Sequence, residues 1–215
     1  MKLCIPISQS QTENVISRLK QAEKFADVIE IWFDEIVDLS ESNMIKIKEK
    51  SKKDLLYKVT KINASKIEEI LKNFKNIKYI DFDIDTDKNI LKNIKDKFPK
   101  TQVIISSHNF EKTPTKIELE TLAKIMFTKG ADIAKVVATA GSLSDSLRML
   151  SLLSHLTANN KKAICISMGE PGRLTRITGH LLGNYLMYAP LDKKEATAPG
   201  QLDIKELKKI IKSIN

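Results

Sequence analysis

A lysine stands inside the apolar run Gly130-Ala131-Asp132-Ile133-Ala134-Lys135-Val136-Val137-Ala138, which Thr139-Ala140-Gly141 closes. The run reads as a buried strand, because a glycine able to end a helix leads into small and β-branched positions. Burial disfavours an ammonium, so the expectation is a lowered pKa and a neutral amine at pH 7, able to attack a carbonyl and form a Schiff base. Nearly all of the 36 basic residues are lysines, and most lysines are solvated; Lys135 is set apart only by its apolar neighbours. Other groups able to do chemistry stand at or just beyond the ends of apolar runs: Glu30, Asp83, His108, Arg173, Arg176, Thr197 and Gln201. Each alone is a weak signal: a single histidine is more often structural, and Asp83 beside Asp81 and Asp85 also fits the start of a turn. Together, an amine, an imidazole, carboxylates and a basic loop suit a keto acid held as an imine on Lys135 and deprotonated by His108.

These groups can cooperate only if the chain brings them to one place. Strand patterns fall at 3–7, 27–33, 55–59, 77–83, 101–106, the Lys135 run, 163–168 and 185–189. Helical patterns alternate with them at 11–25, 41–50, 65–74 and 87–96. Thr113-Pro114 and a Thr115/Glu118 capping box open the next helix, which Gly130 closes. Ser142 and Asp145 start another, running to about Leu156; a short helix spans 176–182, and Asp203 and Glu206 open the last. Eight alternations with no linker, repeat or break predict one domain over 1–215, an α/β fold of the eight-stranded parallel βα (TIM) barrel type. An open doubly wound sheet is disfavoured, since the turn after the first strand is Ser8-Gln9-Ser10-Gln11 rather than glycine-rich. In such a barrel the carboxyl ends of the strands build the site.

Hydrophobic residues make up 42% and charged residues 29%, the balance of an ordinary globular protein. The net charge of +9 admits anionic partners. Its lysines are spread along the chain among acids, and no helix concentrates them with aromatics, so a small anionic substrate is expected and nucleic acid is not. Cys4 and Cys165 lie in apolar runs without metal-ligand spacing, which fits buried thiols, a reducing compartment and a cytoplasmic protein. The first apolar run is too short for a signal peptide and no segment reaches the length of a membrane span, so no membrane partner is expected. The loop Gly169-Glu170-Pro171-Gly172-Arg173 fits either a lid or an ordinary turn, and His155 and His180 read as structural.

Four motifs carry a resemblance: Ile105-Ser106-Ser107-His108-Asn109-Phe110; Gly130 to Lys135; Ile166-Ser167-Met168-Gly169 with Thr175-Arg176; and Ala198-Pro199-Gly200-Gln201. In order and spacing, over nearly the whole chain, they resemble type I 3-dehydroquinate dehydratase. The resemblance implies a βα barrel, usually dimeric, that removes water from 3-dehydroquinate in the shikimate pathway with neither metal nor organic cofactor. It makes Lys135 the Schiff-base lysine and His108 the group that takes the proton beside the imine and returns it to the departing hydroxyl. Arg176 matches the arginine that grips the substrate carboxylate, Thr197 and Gln201 match residues that hold the substrate, and Glu30 matches a glutamate on the ring hydroxyls. Three positions depart from the pattern. Trp32 and Thr60 replace arginines beside the substrate, and Ile62-Asn63-Ala64-Ser65 lacks the glutamate that orients the histidine. Asp83, which matches another glutamate, is expected to take over that orienting role directly or through water. Lys58, of the same strand parity as Thr60, is expected to point inward and supply a compensating charge near Glu30 or Asp83. Two other readings stay open: a binding or regulatory homologue without turnover, and a Schiff-base enzyme acting on another hydroxy keto acid.

Overall fold

The computed structural model describes residues 2–214. Its strands are β1 (Leu3–Ile7), β2 (Val28–Ile31), β3 (Asp54–Lys58), β4 (Ile77–Asp83), β5 (Gln102–Asn109), β6 (Ile133–Thr139), β7 (Ala163–Met168) and β8 (Met187–Tyr188). The helices between and after them are α1 (Thr12–Ala22), α2 (Glu41–Lys50), α3 (Ala64–Asn73), α4 (Lys88–Lys97), α5 (Lys116–Thr128), α6 (Leu143–Ala158), α7 (Arg173–Thr178) and α8 (Ile204–Ile214). All the strands are parallel and pair in the order β7-β6-β5-β4-β3-β2-β1-β8, a nearly closed barrel.

Strand alternation divides the apolar residues into two layers. Cys4, Val28, Leu56, Tyr79, Ile104, Ile133, Ile164 and Leu186 pack together inside the cylinder. Their neighbours Ile5, Ile29, Tyr57, Ile80, Ile105, Ala134 and Cys165 pack in the larger cluster with the helices. The caps read from the sequence are in place: Thr115 and Glu118 bond reciprocally at the start of α5, and at α6 the Asp145 carboxylate accepts from Ser142 N–H at 3.0 Å.

No ladder joins β7 to β8, and side chains do its work. A backbone bond runs from Tyr185 N–H to Ala163 O at 2.9 Å. Above it, Asn184 accepts from Cys165 N–H at 2.9 Å and donates to Leu186 O at 2.9 Å. Thr175 Oγ1 accepts from Ser167 N–H at 2.9 Å. The buried edge of β7 thus keeps its donors satisfied without a paired strand, which is why β8 can be two residues long.

Candidate active site

Two residues beyond the interior apolar layer, the same face turns polar along six of the eight strands. Val28 is followed by Glu30, Leu56 by Lys58, Tyr79 by Asp81, Ile104 by Ser106, Ile133 by Lys135 and Leu186 by Tyr188. Two residues further on, Trp32, Thr60, Asp83 and His108 form a rim. A cavity of about 510 Å³ opens here at the carboxyl ends of the strands, and nine of the residues picked out from the sequence line it: Glu30, Trp32, Thr60, Asp83, His108, Lys135, Arg176, Thr197 and Gln201.

Lys135 is buried at the floor of this cavity. Its Nζ lies 2.8 Å from Asp81 Oδ2, 3.3 Å from the Tyr188 hydroxyl and 3.7 Å from Glu30 Oε2, with the Tyr188 ring centroid at 4.5 Å. The expected lowering of its pKa is corrected by these neighbours. Burial does push the amine down, but Asp81 and then Glu30 outweigh it, and Lys135 holds its proton more firmly than a free lysine. The matching change falls on Asp81: burial would raise it, yet Lys135 and Lys58 hold its carboxyl well below the usual range. Asp81 has no exposed surface and is the central anion of the floor, although the sequence marked it only as part of a possible turn. Its parity with Asp83 and its place inside an apolar strand were the available signals. Ser106 and Tyr188 were missed for the same reason, since a hydroxyl within an apolar run looks like core.

Lys58 points inward as its parity requires, but to neither expected partner. Its Nζ lies 3.2 Å from Asp81 Oδ1 and donates to Ser106 Oγ at 3.0 Å. Glu30 is buried; its Oε1 accepts from Trp32 Nε1 at 2.9 Å and its Oε2 has no hydrogen-bond partner. The indole therefore keeps an N–H donor at the position of the absent arginine. Thr60 lines the wall with its hydroxyl turned to Glu35 Oε1 at 2.7 Å.

His108 donates no hydrogen bond to Asp83, whose carboxylate accepts from Asp85 N–H at 3.0 Å, so direct orientation by Asp83 is corrected. The imidazole instead stacks on Phe110, with centroids 6.2 Å apart and planes 15° from parallel. Burial first, then the charges of Lys135 and Lys58, lower its pKa to about 4, leaving a neutral ring with a free acceptor at pH 7. Arg176, 4% exposed, makes no ion pair among the described residues; its Nε is buried without a partner, and burial lowers its pKa to about 10. A buried guanidinium left unpaired is costly unless an anion is meant to arrive. Arg173 turns away from the cavity to Glu170 and Glu206.

Thr197 and Gln201 bond to each other on the loop after β8, through Thr197 N–H to Gln201 Oε1 at 2.8 Å and Gln201 Nε2 to Thr197 Oγ1 at 3.2 Å. Arg18, at 2.6 Å from Glu195, fixes the base of that loop. The 169–173 turn packs closely on its neighbours. Gly172 leaves no room for a Cβ, which would lie 2.6 Å from Met168 O, and Gly169 N–H donates to Pro199 O at 3.2 Å. Among the described residues, no group of three or more His, Cys, Asp or Glu side chains is arranged to hold a metal.

The family model of type I 3-dehydroquinase matches residues 3–215. The chain belongs to that family. A curated relative from Methanococcus maripaludis, named 3-dehydroquinate dehydratase, is 36% identical over 99% of this chain and 100% of its own. One of the same name from Methanocaldococcus jannaschii is 32% identical over 97% and 96%. The crystal structure of 3-dehydroquinate dehydratase from Geobacillus kaustophilus superposes with a TM-score of 0.86 at 19% identity, covering 99% of this chain and 90% of that one, and so shares the barrel fold. This member of the family is accordingly an enzyme, a dehydratase of the hydro-lyase class.

Proposed function

We propose that the chain converts 3-dehydroquinate to 3-dehydroshikimate and water through a Schiff base on Lys135, as a step of the shikimate pathway in the cytoplasm. The observation that carries the reading is a buried amine and a neutral imidazole on adjacent strands, lining one cavity with a buried guanidinium that has no ion-pair partner among the described residues. The substrate carboxylate would neutralise Arg176, where a planar fork suits two oxygens. Lys135 must first give up a proton, and Glu30 Oε2, buried and unbonded at 3.7 Å, is an acceptor within reach. The free amine adds to the ketone, the proton held by Glu30 returns to the departing oxygen, and water leaves, giving an iminium whose positive charge replaces the ammonium beside Asp81 and Glu30. His108 then takes a proton from the carbon next to the imine, and the electron pair flows onto the iminium nitrogen to give an enamine. The enamine returns the pair, the hydroxyl one carbon further on leaves with the His108 proton as water, and hydrolysis of the imine releases product and amine.

Trp32 would act by holding Glu30, which faces the ring hydroxyls; Thr60 and Asp83 contribute to the walls, and Thr197 and Gln201 cover the bound acid. Exposed Ile117 and Ile125 on α5, with Leu143 and Leu147 on the adjacent α6, support pairing of two copies into a homodimer. Incubation with 3-dehydroquinate tests the activity, because the new double bond conjugates with the ketone and ultraviolet absorbance rises. Calorimetric binding with no rise would instead assign a binding role, and turnover of other hydroxy keto acids in preference would assign a different substrate.

A further inference from the structure

We propose that Lys58 governs how readily Lys135 gives up its proton, acting as a positioning residue through the carboxylate they share, Asp81. The inference rests on the Schiff-base reading above and adds a residue to it. Asp81 is fully buried and offers one oxygen to each amine, Oδ2 to Lys135 at 2.8 Å and Oδ1 to Lys58 at 3.2 Å. One negative charge shared between two cations binds each less strongly than it would bind one, and the cations repel each other. A second cation beside a nucleophilic lysine is an established way of freeing its lone pair.

The arrangement depends on the sheet. From the pairing of Leu55 with Ile77, an unbroken register would set Lys58 against Ile80. A bulge between Leu55 and Leu56 shifts the ladder by one residue and sets Lys58 against Asp81. Ser106 Oγ accepts from Lys58 at 3.0 Å and donates to Phe82 O at 3.3 Å, so the amine is held at the carboxylate rather than swinging in the cavity. The groups facing Lys135 are then Asp81 from β4, Glu30 from β2, Cys4 from β1, Tyr188 from β8, Lys58 from β3, His108 from β5 and Arg176 from α7. Without Lys58, the carboxylates of Asp81 and Glu30 hold the Lys135 proton with one cation fewer to offset them.

The test is the pH profile of kcat/KM, followed by product absorbance in the full chain, for the wild type and for Lys58→Gln, Lys58→Met and Lys58→Arg. Glutamine can donate to both Asp81 and Ser106 without a charge; arginine keeps the charge. In a His108→Ala background, where the imidazole's own response to Lys58 is absent, both neutral variants are expected to lower the rising limb of the profile about tenfold at each pH, and Lys58→Arg to restore it, with KM little changed. An unmoved limb in Lys58→Gln, or rescue by glutamine as complete as by arginine, would overturn the inference. A change confined to KM would make Lys58 a substrate ligand instead. If the wild type forms neither product nor a borohydride-stable adduct at Lys135, the Schiff-base reading fails, and this inference with it.

Discussion

Arg176 is buried with no ion-pair partner among the described residues, so its charge costs stability in the free protein and is useful only when a carboxylate arrives. Arg176→Met is therefore expected to raise the melting temperature while raising KM about 10- to 100-fold, the range for a lost charge-assisted bond. A fall in stability with unchanged KM would assign Arg176 to the core. His108 gives a separate check, since burial and the two lysines lower its pKa to about 4. Sign and direction follow: the ring is neutral at pH 7, and its NMR titration should lie well below that of an ordinary histidine, with protonation only as the pH falls toward 4. His108→Ala should lower kcat by about 10²- to 10⁴-fold, the usual loss of a general acid–base, with binding largely kept. The position of Lys135 in a buried strand was legible from its apolar neighbours. Its protonation was not, because that depends on Asp81 and Glu30, which lie 54 residues away and on another strand respectively.

At the scale of elements, the seam between β7 and β8 hangs on Asn184 and Thr175. Asn184→Ala strands Cys165 N–H and Leu186 O, and Thr175→Val strands Ser167 N–H. Each stranded group is expected to cost about 1–3 kcal/mol in denaturant unfolding, and an unchanged midpoint would show that the seam closes by other means. Gly200 has φ +77°, and a Cβ there would lie 2.2 Å from Gly169 O. Gly200→Ala should therefore free the Thr197–Gln201 loop and weaken substrate binding. Strand alternation made most of the barrel readable in advance: β1, β4 and β7 have the bounds their apolar runs mark, and so does α2. The differences have physical causes. β5 continues through His108 to Asn109, because polar residues facing the cavity end the apolar pattern before the strand ends. β2 stops at Ile31, since Trp32 turns the chain into a 3₁₀ turn at Phe33–Glu35. β8 is shorter than its apolar run because side chains replace its ladder. The bulge that pairs Lys58 with Asp81 leaves no mark in the sequence pattern, and so the inward direction of Lys58 was foreseen while its partner was not.

At the scale of the molecule, a net charge of +9 and an anionic substrate predict faster encounter at low ionic strength. kcat/KM should fall severalfold as salt shortens the Debye length from about 30 Å to about 8 Å, while kcat stays level; no salt dependence would restrict the useful charge to the buried site. Sedimentation should give twice the chain mass, and Leu143→Lys with Leu147→Lys should halve it. The central claim concerns a single bond. Borohydride added with 3-dehydroquinate, followed by mass spectrometry of the intact protein and its peptides, should find a reduced adduct on the Lys135 peptide that Lys135→Ala abolishes. An active enzyme that yields no adduct, or an adduct on Lys58 alone, would contradict the account.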